Sequence, residues 1–328
     1  MKTHQIKKIL LITLSNIGDV VLTTPVVDIL RKNFSDASFH LMIGPNATGV
    51  FSRDKRIDKI IIYDKHIRFK EKITLFFSLK GTGYDLVVDL RNTLFPLFLR
   101  PKFYTSPFKN APKEILSMRE RHLWKLKTIG INTDGAELSI VYDERDLDHI
   151  KLLFKNYGID YKQRYICVSC GAKSHIKRWP KDRFSELAKR LINELGYTII
   201  LTGDREDKPI TSEIVANSKE RIFDFAGLTT ITELAALLKN SSLLITNDSA
   251  TLHIASSTDI PVLAIFGPTD PLKYGPNSKK SIVIRKPLKC SPCEVALCRF
   301  NHECMELISV DEVFQEAKIL LQNTENRR

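Results

Sequence analysis

Apolar residues along this chain fall into short runs, separated by stretches in which they recur every three or four positions. The runs KKILLITL (7–14), SFHLMI (38–43), DKIIIY (58–63) and YDLVVDL (84–90) read as strands, and Val20 to Phe34 reads as a helix with Pro25 near its start. The pattern then restarts with YICVSC (165–170), YTIILT (197–202), SLLIT (242–246), VLAIF (262–266) and SIVIR (281–285). Between these runs, Phe184, Leu187, Ala188, Leu191, Ile192 and Leu195 form a stripe at helical spacing, opened by Pro180 and closed by Gly196. Thr230 with Glu233, and Ser309 with Glu312, have the spacing of capping boxes for helices through Lys239 and from Val310 to Gln322.

Strands alternating with helices predict an α/β protein with parallel sheets. Because the pattern occurs twice, two Rossmann-like domains facing a cleft are expected. The charged segment 141–163 lacks a strand pattern, so the boundary falls there, giving domains 1–158 and 159–328. In open parallel sheets ligands bind beyond the carboxyl ends of the strands. Three such loops follow: Ser15–Asp19, Gly203–Asp207 and Asn247–His253.

Composition fits this picture: 43% of the 328 residues are hydrophobic and 27% charged, values of ordinary folded domains. The N-terminal apolar run is too short for a signal peptide, and ITLFFSL (73–79) and LFPLFL (94–99) fall far below the ~20 residues a spanning helix needs. A cytoplasmic protein is expected. Charge changes the picture more, for the net value is +12 and Lys65 to Lys127 contains 14 Lys or Arg against 5 Asp or Glu. Such a field attracts nucleic acid, an anionic membrane or a phosphorylated glycolipid, or else serves only solubility.

Asp19 stands where a strand gives way to a helix, with Gly18 easing close approach of a substrate to the protein backbone and Ser15 and Asn16 completing the loop. It can act as a base, or it can simply complement the helix dipole for about 0.3–1 kcal/mol. In TNDSATLHIA, the helix start with the hydroxyls of Ser249 and Thr251 suits a phosphate. Asp248 suits a sugar or ribose hydroxyl, unless it or Ser249 is a plain N-cap. Lys177, just before Trp179 and Pro180, either brings a cation to the same sheet edge, where it could neutralise a pyrophosphate, or belongs to a solvated basic turn with Trp179 in the core. No G-x-G-x-x-G is present, which weighs against a dinucleotide-dependent dehydrogenase. The one D-x-D, Asp146 and Asp148, lies in the charged connector and reads as solvated surface. Cys290, Cys293, Cys298 and Cys304, spaced C-x2-C-x4-C-x5-C in a loop 290–304 with His302, suit either a structural zinc or iron, or reduced thiols.

The segments SNIGDVVLTTP, GAKSHIKRWP, AGLTTITELAALLKNSSLLITNDSATLHIA, PVLAIFGPTDPLKYGP and CSPC occur in order. Together they resemble glycosyltransferase family 9, the ADP-heptose:lipopolysaccharide heptosyltransferases, from about residue 7 to 321. The resemblance implies a GT-B fold with an acceptor domain first, a donor domain second, and a final helix packing back on the first. It makes Asp19 the general base of an inverting transfer and Lys177 a donor-phosphate ligand. Asp248, Ser249, Ala250, Thr251 and His253 fall on the motif that holds nucleotide and sugar, with Glu206 near the nucleoside.

Two departures stand out: Ala250, Thr251 and Leu252 replace the family's usual Gly-Pro-Met, and Ser169 and Cys170 its His-Pro. The implied partners are ADP-heptose or a related nucleotide sugar, a lipopolysaccharide core acceptor, and the anionic inner face of the cytoplasmic membrane, contacted peripherally. No cofactor is required for catalysis. Alternatives are a family member using another sugar or acceptor, a GT-B nucleotide-sugar epimerase, and a polyanion-binding protein, the last disfavoured because the motifs lie at strand ends away from the basic segment.

Overall fold

The structure is a computed structural model that describes residues 6–217, 221–278 and 280–325. The chain divides into two compact units at Val141/Tyr142. In the first, β1 (Lys8–Ile12), β2 (Ser38–Ile43), β3 (Lys59–Ile62), β4 (Leu86–Asp89) and β5 (Phe103–Tyr104) form a parallel sheet ordered β3-β2-β1-β4-β5. The second contains β6 (Tyr165–Ser169), β7 (Thr198–Leu201), β8 (Ile222–Asp224), β9 (Leu243–Asn247), β10 (Val262–Ile265) and β11 (Ser281–Ile284), also parallel, ordered β11-β10-β9-β6-β7-β8. The nine expected strands are present. The two others, β5 and β8, are too short to leave an apolar run.

Strands β1, β4, β6, β7, β9 and β10 are buried from end to end apart from Lys8, as expected of parallel strands covered on both faces. In each sheet the order reverses beside the strand that starts the unit. The crevices therefore open between β1 and β4 and between β6 and β9.

Three expectations are corrected. The helix foreseen over 20–34 is two helices, Ile17–Val21 and Thr24–Asn33. Pro25 has no N–H to continue the first, and its fixed φ suits the first turn of the second. The unit boundary precedes helix Glu144–Asn156, because Ile150, Leu153 and Phe154 of that helix are buried and Phe154 stacks edge-on with Tyr165 and Phe225 of the second unit, at 5.1 and 5.7 Å between centroids. Asp146 is not solvated surface. It is fully buried, accepting the Asp143 N–H at 2.9 Å and the Thr232 hydroxyl at 2.8 Å, while Asp148 alone is exposed and pairs with Lys151.

The final helix, Val310–Glu325, contributes Val313, Phe314, Ala317, Leu320 and Leu321 to the second unit's core, where Trp179 and Phe184 also lie. The Thr230–Glu233 capping box forms as expected, and Ser309 and Glu312 bond reciprocally. No helix among the described residues is long and apolar enough to cross a membrane.

Candidate active site

In the first unit the chain leaves β1 through Thr13, whose buried hydroxyl bonds that of Thr23 at 2.9 Å, so the loop between them is tied at both ends. Ser15 packs so closely on Gly44 that a Cβ there would meet it at 2.6 Å. Asn16 precedes helix Ile17–Val21 and donates to Asp19 Oδ2 at 3.0 Å. Asp19 is thereby oriented in the first turn, beside Gly18 and partly exposed at the carboxyl edge of the sheet. This hydrogen bond gives it a fixed direction that a plain dipole-complementing carboxylate does not need.

Two buried groups from helix Met118–Lys127 support this edge, and neither was foreseen. Burial pushes the His122 imidazole down to about 4, and the Asp19 charge pulls it the other way, so the two side chains are electrostatic neighbours. Its Nε2 has no hydrogen-bond partner among the described residues. Lys125 belongs to the stretch read as a basic field, yet it is buried and donates to Asn92 Oδ1, to the Ser106 carbonyl at 3.0 Å and to the Lys109 carbonyl at 2.8 Å. Beside it Asp89, at the end of β4, accepts from the Arg91 and Thr93 backbones, and burial raises its pKa. These bonds anchor the segment 91–110. Only the periodicity of helix Met118–Lys127 hints that His122 and Lys125 point inward.

The second unit assembles its site at the β6/β9 crevice. Asn247, the last residue of β9, donates to the Cys170 carbonyl at 2.8 Å and accepts the Trp179 N–H at 3.0 Å, so one side chain ties the loop after β6 to β9. Trp179 is buried and donates its indole N–H to the Ile308 carbonyl. Lys177, two residues earlier, is thereby held at the crevice and donates to Asp248 Oδ2 at 2.6 Å. Thr269, from the loop after β10, donates to the same oxygen at 2.7 Å. The expected residues Lys177 and Asp248 are thus brought together. Thr269 and Asn247, to which sequence motifs alone assign no role, complete the arrangement.

Ser249 precedes helix Ala250–Ser256 as its N-cap residue but makes no side-chain cap bond, its hydroxyl meeting that of Thr246 at 3.1 Å. Ser249 and Ala250 are partly exposed, while Thr251 and His253 are buried in the helix. The two departures from the family pattern meet, for Ser169 donates to the Thr251 hydroxyl at 3.2 Å. Glu206 lies exposed in the short turn Arg205–Asp207 after β7. Its neighbour Asp207 is inserted beside Gly171, where a Cβ would lie 2.0 Å from its carboxylate, and burial raises its pKa.

Of the two readings of the Cys-rich loop, metal ligands or reduced thiols, the structure has the thiols free. Among the described residues no three His, Cys, Asp or Glu side chains converge in metal-holding geometry. Cys304 is buried and Cys293 exposed, with Cys290 and Cys298 between. Burial first, and the charges of the other three thiols second, push Cys304 up to about 11. Cys298 Sγ accepts the Phe300 and His302 N–H groups at 3.3 Å, so the loop is ordered by its own backbone.

A partly buried cation, a carboxylate and a hydroxyl at a switch-point crevice suit the phosphates and hydroxyls of a nucleotide sugar. The family model described as glycosyltransferase family 9 (heptosyltransferase) matches residues 103–303, more than half of the chain. The chain belongs to glycosyltransferase family 9. Lipopolysaccharide heptosyltransferase 3 of Escherichia coli is 26% identical over 291 residues, covering 81% of this chain and 85% of that protein. Among solved structures, a family 9 glycosyl transferase from Veillonella parvula superposes with a TM-score of 0.84 at 24% identity, covering 97% of both chains. The E. coli ADP-heptose lipopolysaccharide heptosyltransferase II gives 0.79 at 24% identity, covering 97% of this chain and 99% of that one. The family 9 chain accordingly has the GT-B fold, with one Rossmann-like sheet in each unit.

Proposed function

We propose that this family 9 glycosyltransferase moves heptose from ADP-heptose to the inner core of lipopolysaccharide, in the cytoplasm at the inner face of the cytoplasmic membrane. Residues 1–141 would serve the acceptor and 142–328 the donor. The observation that carries the donor assignment is the convergence of Lys177 and Thr269 on one oxygen of Asp248 at the β6/β9 crevice. That convergence fixes a buried carboxylate whose second oxygen, Oδ1, serves to accept from a sugar hydroxyl.

In the proposed reaction the Asp19 carboxylate takes the proton of the acceptor hydroxyl. That oxygen forms the new bond to the anomeric carbon as the bond to the diphosphate oxygen breaks on the opposite face, so configuration inverts and ADP leaves. Charge growing on the diphosphate is met by Lys177 and by the free N–H groups in the first turn of helix Ala250–Ser256. The Asn16 bond to Asp19 supports the base assignment by aiming the carboxylate. Glu206 and His253 are assigned to the nucleoside and sugar ends, and no bound metal enters the scheme.

A second reading, another nucleotide sugar in the same site, is favoured by one observation. Ser169 and Thr251, both departures from the family pattern, touch each other, so this wall of the donor site is rebuilt as a pair. The test is incubation with a panel of nucleotide sugars and truncated lipopolysaccharide cores, followed by mass spectrometry. A single heptosyl gain from ADP-heptose is expected, gain from another sugar alone selects the second reading, and turnover of donor without acceptor selects an epimerase.

A further inference from the structure

Helix Phe69–Thr82 crosses from β3 to β4 and packs on the first sheet through Leu75 and Leu79, one turn apart. On the opposite side Phe69, Ile73 and Phe77, again at i, i+4 and i+8, are 76%, 40% and 64% exposed. Phe76 links this row to the neighbouring helix Phe95–Leu99, lying edge-on to Phe77 at 5.7 Å and to Phe98 at 6.3 Å. Phe98 is itself 58% exposed. Three phenylalanines and an isoleucine thus form one outward apolar ridge on a helix whose other face already satisfies the core. Scattered exposed apolar residues need no explanation, but a contiguous aromatic ridge does.

The charge around the ridge has one sign. Residues 65–82 contain five Lys or Arg and one acidic residue, Glu71, which is paired with Arg68 at 3.0 Å. Lys70 lies three positions from Ile73, and Lys80 three from Phe77, so both stand beside the row on the helix surface. Arg100 and Lys102, exposed, follow the second helix. An apolar ridge rimmed by cations complements a bilayer with anionic headgroups, with aromatic rings entering the acyl boundary and ammonium groups meeting phosphate. A second copy of this chain would bring the same cations face to face, so charge argues against it.

We propose that this face is a lipid-docking surface. Phe69, Ile73, Phe77 and Phe98 insert shallowly into an anionic bilayer, while Lys70, Lys80 and Arg100 contact its phosphates. The assignment rests on the proposed membrane-borne acceptor for its purpose, yet its test needs neither donor nor acceptor.

The test is sedimentation of the full chain with vesicles of phosphatidylethanolamine and phosphatidylglycerol, and separately of phosphatidylcholine. Binding to the anionic vesicles alone is expected. The double variant Phe69→Ser/Phe77→Ser should lose at least about ten-fold in vesicle affinity. Lys70→Gln/Lys80→Gln should lose about five-fold for each charge removed. Both variants should keep the wild-type circular dichroism and melting temperature, and the same rate of transfer to a deacylated, water-soluble core. Equal binding to phosphatidylcholine, vesicle binding indifferent to the Phe pair, or loss of self-association in place of vesicle binding would each overturn the proposal. Failure of the transfer reading shows separately, as absence of sugar gain with wild-type protein, and leaves the vesicle result standing.

Discussion

Lys177 and Asp248 meet at 2.6 Å across the β6/β9 crevice, and Thr269 donates to the same carboxylate oxygen at 2.7 Å. A hydrogen bond to a charged group contributes about 1.5–3 kcal/mol. Thr269→Val, close in shape but lacking the donor, should therefore lower kcat/KM for the nucleotide sugar by about ten- to a hundred-fold. Thr269→Ser should restore most of it. Steady-state kinetics on both variants checks the claim, and equal losses in Val and Ser would assign Thr269 to packing.

The base assignment predicts a different signature. Asp19→Asn keeps the shape of the side chain and its place next to Asn16 but cannot take a proton. Turnover should fall by about two to four orders of magnitude while donor binding, followed calorimetrically with ADP, stays at the wild-type level. Near-normal turnover would remove Asp19 from the proposed mechanism.

Alternation of apolar runs with helical stretches made most of the fold legible in the sequence, because buried parallel strands such as YICVSC and SLLIT leave short, nearly continuous apolar runs. Strands β5 and β8, of two and three residues, are set by pairing with β4 and β7 and carry no local signal. The Lys177–Asp248 pair was accessible through motif and loop position, whereas the roles of Asn247 and Thr269 depend on which strands become neighbours. Charge counting alone places Lys125 and Asp146 on charged surface, yet both are buried with hydrogen bonds that only the tertiary fold provides.

His122 makes the fold sensitive to mild acid. Its pKa is about 4 in the native protein against 6.5 for an unperturbed imidazole, chiefly because burial disfavours the cation. Above pH 6.5 both native and unfolded chains carry it neutral. As pH falls from 6.5 toward 4 the unfolded chain binds a proton that the native chain does not, so stability declines, by up to about 3 kcal/mol in total. Urea unfolding between pH 7.5 and 4.5 should show that decline. His122→Phe should flatten it, and an unchanged slope would trace the acid sensitivity to other groups.

The position of helix Glu144–Asn156 can be tested by cutting the chain. A boundary at 158 would leave this helix on the first unit, yet Ile150, Leu153 and Phe154 bury themselves in the second, and Thr232 bonds Asp146 there. Each such apolar side chain contributes about 1.5–3 kcal/mol by leaving water. Because a domain's net stability is only about 5–15 kcal/mol, losing three of them together removes a large part of it. A fragment 142–328 should therefore unfold cooperatively and bind ADP. A fragment 159–328 should expose Tyr165 and Phe225, bind a hydrophobic dye and melt at least about 10 °C lower, the shift expected for several kcal/mol in a unit of this size. Equal melting of the two fragments would place the boundary after the helix.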